Sequence, residues 1–391
     1  MARRVLLISY AYPPLAAPES WQSAKAARGL TLAGAEVTVV SAQPRWWHSR
    51  DPTLVPYAHR VAEVREVVTP RWIPFVQPVG ALRQFPDPMR FMRRRVLRAV
   101  DDLDRFDALV TWSQWHSAHL VGLELKRRRP ALPWLAHLSD PWVDNPLVAR
   151  HPLGRAADVR YERAVMAAAD VVEMTSPEAL AELLARHPGR AGTASVVPHS
   201  FDPSLYGDES PSAGVITARY VGAFYGRRTP APLFDGLERL ASTEGIEVEL
   251  VGSDESIAVQ AAARALRPGL VRVRPSVSYL ESLRVMRQSD VLLLVDSPAD
   301  LNVFVASKLI DYLGARRPIV GITPPGAAAE IVRAAGGWVA HPSNPDAIAD
   351  ALVRAFDHAR TLRTTPEHQA ADSPYSVDHV GRDRYRLLFG P

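Results

Sequence analysis

The chain has 391 residues, 47% of them hydrophobic and 23% charged, with a formal net charge of +4. That length exceeds one ordinary core and predicts two domains, and the composition excludes a disordered or fibrous protein. The absence of cysteine excludes disulfides, thiolate metal sites and a cysteine nucleophile, and the modest charge gives no concentrated basic face for nucleic acid.

The opening "MARRVLLISYAYPP" has the charge order of a signal peptide, but its apolar run is strand-length and ends at Pro13-Pro14. It reads as a first buried strand, Val5–Ser9. No segment is long and apolar enough to span a bilayer, and a cytoplasmic enzyme is the expectation. A helix from Ser20 to Leu32 and a strand at Val37–Ala42 complete a βαβ unit of a parallel sheet. Met89–Arg98, "MRFMRRRVLR", mixes apolar residues with five arginines. It predicts either peripheral contact with an anionic membrane or, more commonly, an Arg-rich surface helix. Strands follow at Asp107–Trp112, Pro133–Leu138 and Ala169–Ser176, with a helix from Ser117 to Arg127. "HLSDPWVDNP" leaves a strand for a loop and carries His137 and Asp140. A lone strand histidine is more often core than ligand.

The stretch Ser195–Val215 is rich in Pro, Ser, Asp and Gly and predicts a linker. The expected organisation is a first domain over 1–198, a linker over 199–214 and a second domain over 215–375. A helix over about 376–391 is expected to pack back on the first. Strand and helix alternate again in the second domain, with helices at Pro230–Ser242, Glu255–Leu266, Ser278–Arg287, Ala327–Ala335 and Pro345–Ala359. The fold class is α/β: two Rossmann-like parallel-sheet domains facing a central cleft.

"NVFVASKLIDYLGARRPIVG" places one of only three lysines, Lys308, at the start of a helix. Ser307 is expected to cap that helix and Gly314 to stop it. A cation is disfavoured at the positive end of the helix dipole. An anion, above all a phosphate, would offset that cost, because the first backbone N–H groups lack partners there. The alternative is an ion pair with Asp311, against the preferred charge order. Arg227 and Arg228 stand in the matching strand–loop–helix "YVGAFYGRRTPAPLFDGL". Together with Lys308 they predict a pyrophosphate clamp.

These segments, with "YLESLRVMRQSDVLLLVD", "PWLAHLSDPW" and "VVPHSFDP", resemble bacterial glycosyltransferases of family four. The resemblance implies the GT-B fold, an acceptor bound mainly by the first domain and a nucleotide-sugar donor bound mainly by the second. It implies retaining transfer of a hexosyl or deoxyhexosyl group with neither metal nor cofactor, onto a small-molecule, glycan or lipid-linked acceptor. Arg227 or Arg228 and Lys308 match the cations that hold the donor diphosphate. Asp311 matches the second carboxylate of a pair, the one that binds the ribose hydroxyls. The first carboxylate is replaced by Val303, so Asn302 or the backbone N–H groups of Val305 and Ala306 are the candidates for holding the sugar. Asp140 and His137 are candidates for acceptor or sugar contact, and His119 matches a Ser-x-His pattern. Glu19 and Ser20 face the acceptor or cap the first helix, the second being commoner. Two other readings on this architecture are a nucleotide-sugar epimerase and a non-catalytic nucleotide-sugar-binding relative.

Overall fold

The structure, a computed structural model, describes residues 2–73, 86–146, 148, 151–253, 266–362 and 373–390. The helix expected over Glu255–Leu266 falls outside these residues save for its last position. The chain divides into two compact units, Met1–Ser200 with Pro374–Pro391, and Phe201–Ser373.

Unit 1 is built on a parallel sheet of strands β1 (Arg4–Ser9), β2 (Glu36–Gln43), β3 (Glu63–Val68), β4 (Ala108–Trp112), β5 (Trp134–Leu138), β6 (Val171–Met174) and β7 (Ala194–Val196), in the order β3-β2-β1-β4-β5-β6-β7. After Arg4, strand β1 is buried throughout, as are β4 and β5. A parallel sheet covered by helices on both faces requires that continuous apolar pattern. Its helices are α1 (Pro18–Leu32), α2 (Val55–Ala58), α3 (Arg93–Arg98), α4 (Ser117–Arg128), α5 (Pro152–Ala168) and α6 (Pro177–Arg186). Met89, Met92 and Val96, beside and within α3, are buried in the core. Arg93, Arg94, Arg95 and Arg98 are exposed. Of the apolar residues that suggested membrane contact, Met89, Met92 and Val96 face inward, while Phe91 and Leu97 are half-buried.

Unit 2 repeats the design with β8 (Ile216–Val221), α7 (Ala231–Glu238), β9 (Ile246–Val251), β10 (Val271–Arg274), α8 (Tyr279–Arg287), β11 (Val291–Val295), α9 (Ser307–Ala315), β12 (Ile319–Ile322), α10 (Ala327–Ala334), β13 (Trp338–Ala340) and α11 (Pro345–Leu362). Its strands are also parallel, in the order β10-β9-β8-β11-β12-β13. Residues 201–214, read from sequence as linker, belong to this unit. Tyr206 Oη there donates to the Asp311 carbonyl at 2.9 Å. In both sheets the order reverses beside the first strand, between β1 and β4 and between β8 and β11. Open α/β sheets bind ligands outside the carboxyl ends of their strands at such switch points.

The last helix, α12 (Val377–Phe389), belongs to unit 1 and lies against α1. Gly29 and Gly381 face each other so closely that a Cβ on Gly29 would sit 2.9 Å from the Gly381 Cα. The two backbones touch where side chains would keep them apart. No described helix is long and apolar enough to cross a membrane.

Candidate functional site

In unit 2 the site lies where β8 and β11 end. Helix α9 begins after Ala306, whose side chain makes no cap, and Ser307 is already helical. Ser307 thus does not cap, and the helix runs through Gly314 to end on Arg316 in the left-handed conformation, φ 56°. No backbone acceptor among the described residues engages the N–H of Val305 or Ala306. Lys308 follows at the second helical position. Its Nζ is buried without a hydrogen-bond partner among the described residues and lies 3.8 Å from the centroid of the Tyr220 ring. Gly222, at φ +131°, makes room for it, since a Cβ there would stand 2.6 Å from Nζ. Burial pushes the ammonium pKa well below the ordinary lysine value; Arg228 adds to that and Asp296 opposes it.

Of the two loop arginines, Arg228 joins Lys308, whereas Arg227 is exposed. Arg228 Nη2 donates to Asp296 Oδ1 at 2.7 Å, and its guanidinium lies 5.3 Å from the Tyr225 ring centroid. Asp296 in turn accepts from Asn302 Nδ2 at 3.0 Å and from Thr323 Oγ1 at 2.9 Å. Asn302 Oδ1 accepts from the Phe304 N–H at 3.0 Å. Asn302 thereby ties Asp296 to its own loop. Asp311 follows one turn along α9, where its buried carboxylate accepts from Tyr279 Oη at 3.0 Å. Val303 and Val305 are buried. What remains is a buried ammonium, a guanidinium and a helix N-terminus converging at one strand end, a composite site for an anion.

In unit 1 the site lies at the carboxyl ends of β4 and β5. Helix α1 starts after Ala17 with no side-chain cap, so neither Glu19 nor Ser20 caps it. Ser20 is fully buried, and its hydroxyl has no hydrogen-bond partner among the described residues. Glu19 Oε2 receives the Trp112 indole N–H at 2.9 Å and contacts Ser139 Oγ at 2.6 Å. His137 is fully buried and stacks on Trp112 with centroids 3.5 Å apart. Its Nδ1 is 2.9 Å from Glu173 Oε2 and its Nε2 is 3.2 Å from Ser139 Oγ. Arg384, from α12, closes the series by donating to Glu173 through Nε and Nη2, each at 3.0 Å.

The charges follow from these contacts. Burial raises the Glu19 pKa to about 8, with Asp140 adding and Ser139, Trp112 and Lys25 opposing. Burial lowers the His137 pKa, and Glu173 partly offsets it. Burial alone would raise the Glu173 carboxyl, but Arg384 and His137 hold it below the usual range. Asp140 is exposed just past β5. His119 is displaced from its expected acceptor role, because it is fully buried on α4 with Nδ1 2.8 Å from Thr111 Oγ1. It belongs to the core.

Sequence reading missed Tyr220, Gly222 and Asp296 in unit 2, and Trp112, Ser139, Glu173, His199 and Arg384 in unit 1. One signal was available: "VVEM" sets Glu173 inside an apolar buried strand, and a buried carboxylate demands a cation. Among the described residues no group of three or more His, Asp or Glu is placed to hold a metal ion.

Residues 20–199 match the family model of the glycosyl transferase 4-like domain. No curated protein sequence matches the chain. Among solved structures, Anabaena HepE in complex with UDP and glucose is similar at 15% identity and a TM-score of 0.64, over 99% of this chain and 95% of that one. A glycosyltransferase from Rickettsia africae gives 13% identity and a TM-score of 0.66, over 99% and 98%. Sucrose-phosphate synthase of Thermosynechococcus elongatus gives 17% and 0.65, over 99% and 95%.

Proposed function

From a chain whose residues 20–199 belong to the glycosyl transferase 4-like family and whose two parallel sheets take the GT-B fold, we propose a retaining glycosyltransferase that moves a sugar from a nucleoside diphosphate onto an acceptor hydroxyl. Unit 2 holds the donor and unit 1 the acceptor. The observation that carries this reading is Lys308, a buried cation at a helix N-terminus with no hydrogen-bond partner among the described residues, with Arg228 beside it. These groups suit a departing diphosphate. They offer fixed positive charge where negative charge develops, without calling on a metal. The N–H groups of Val305 and Ala306, without an acceptor among the described residues, suit contact with the donor. Val303 offers its sugar no hydrogen bond, which favours a deoxygenated position there.

The HepE complex, which contains UDP, makes UDP and UDP-glucose the first probes. Binding to the folded chain should raise its melting temperature. Lys308→Ala should weaken UDP binding by about 1.5–3 kcal/mol, the range for a hydrogen bond to a charged group, measured by titration calorimetry. Unchanged affinity in that variant would remove the clamp. A wild-type chain stabilised by no nucleoside diphosphate would remove the donor reading.

A further inference from the structure

Ser139 Oγ stands among three acceptors: Glu19 Oε2 at 2.6 Å, the Ser113 carbonyl at 2.8 Å and His137 Nε2 at 3.2 Å. His137 has to send its Nδ1 proton to Glu173, whose carboxylate is already matched by Arg384, so its Nε2 is an acceptor when the ring is neutral. One hydroxyl proton cannot serve three acceptors. A proton on Glu19 turns one of the three into a donor and leaves two acceptors for the Ser139 proton. Glu19 then donates to Ser139 Oγ, and the Ser139 proton goes to Ser113 or His137. The other arrangement with the same number of protons places a cation on His137, in a site where burial disfavours it. The charged groups around Glu19 do not reverse this: Lys25 favours its ionised form, Asp140 opposes it, and the His199 Nε2 is 4.0 Å from Oε1.

The second Glu19 oxygen, Oε1, makes no hydrogen bond among the described residues, and the side chain keeps 13% of its surface exposed. In the chain neighbour Ser20 and in His199, Oγ and Nδ1 are buried polar atoms without hydrogen-bond partners among the described residues. Buried polar groups left open in this way call for a ligand that completes them. All of this lies at the strand ends beside the switch between β1 and β4, where a ligand of unit 1 is expected.

We propose that Glu19 is the acceptor-binding residue of unit 1. It presents a neutral carboxyl to an uncharged, hydroxyl-bearing acceptor, and Ser139, His137, Glu173 and Arg384 act as positioning residues that hold it in that state. The acceptor assignment rests on the transferase reading; the protonation assignment does not.

The test has two arms on the full chain. In the first, the Trp112 indole N–H resonance of ¹⁵N-labelled protein, identified by its loss in Trp112→Phe, is followed against pH without any ligand. It should titrate with a midpoint above pH 7 and stay flat in Glu19→Gln. A midpoint in the ordinary carboxylate range overturns the proposal. His137→Phe keeps the ring stack and leaves Arg384 on Glu173, but frees the Ser139 proton for Glu19, so the midpoint should fall by half a unit or more. An unmoved midpoint removes His137 from the series. In the second arm, transfer from UDP-glucose to octyl β-D-glucoside is measured beside UDP release to water. Glu19→Gln should keep the acceptor KM within about threefold, and Glu19→Ala should raise it at least tenfold. An unchanged KM in Glu19→Ala overturns the acceptor role. Failure of the donor reading would show separately, as absence of UDP binding with the indole titration intact.

Discussion

At the carboxyl ends of its strands, unit 1 sets Arg384 against Glu173 through two donors at 3.0 Å, while unit 2 leaves the Lys308 Nζ buried with no hydrogen-bond acceptor among the described residues. Both cations are desolvated, but Arg384 meets a carboxylate directly and Lys308 has the face of the Tyr220 ring. A buried pair with good geometry roughly balances its desolvation, and removing one partner strands the other. A buried cation with no partner lowers stability in the free protein, a cost that persists where function needs it. The contrast separates a charge that belongs to the architecture from one held ready for a ligand.

The largest test of that contrast is Arg384→Met. It strands Glu173 and should cost about 3–5 kcal/mol, read as a lower melting temperature and denaturant midpoint. Adding Glu173→Gln should recover most of the loss. Next, Arg228→Ala should weaken UDP binding roughly tenfold, about 1.4 kcal/mol, while Arg227→Ala stays within about threefold. Equal losses would mean that the exposed arginine turns inward on binding. Lys308→Met should behave oppositely to Arg384→Met, leaving the free protein as stable as wild type or more stable by about 0.5–1 kcal/mol. The pH dependence has a defined sign. The folded Lys308 pKa is depressed, so the unfolded chain binds more protons between that value and the ordinary one, and wild-type stability should rise with pH across that window relative to Lys308→Met. The smallest effect is proton uptake on UDP binding, because a diphosphate raises the depressed Lys308 pKa. Calorimetry in buffers of different ionisation enthalpy would read it, and proton release would contradict the arrangement.

The alternation of apolar runs and helical stretches made both parallel sheets legible, because strands covered on both faces must be apolar throughout. Lys308 was legible too, since a cation at a helix start conflicts with the dipole in the sequence itself. The choice between Arg227 and Arg228 was not, because adjacent loop residues differ only in the direction the backbone gives them. The partners of Asn302 and Asp311 were hidden for a related reason. Spacing placed them beside the site but could not show that they hydrogen-bond Asp296, Thr323 and Tyr279. The unit 1 series was hidden by separation: Glu173 and its cation lie 211 positions apart, and no local pattern couples such residues.

That separation also bears on the order in which the molecule comes into being. Unit 1 draws its last helix and its Arg384 from residues translated after all of unit 2. While the ribosome is still adding unit 2, the first seven strands exist with Glu173 lacking its cation and α1 lacking the glycine-lined surface of α12. Domains usually mature in the order of synthesis. Here the first one begun is the last one that can be finished.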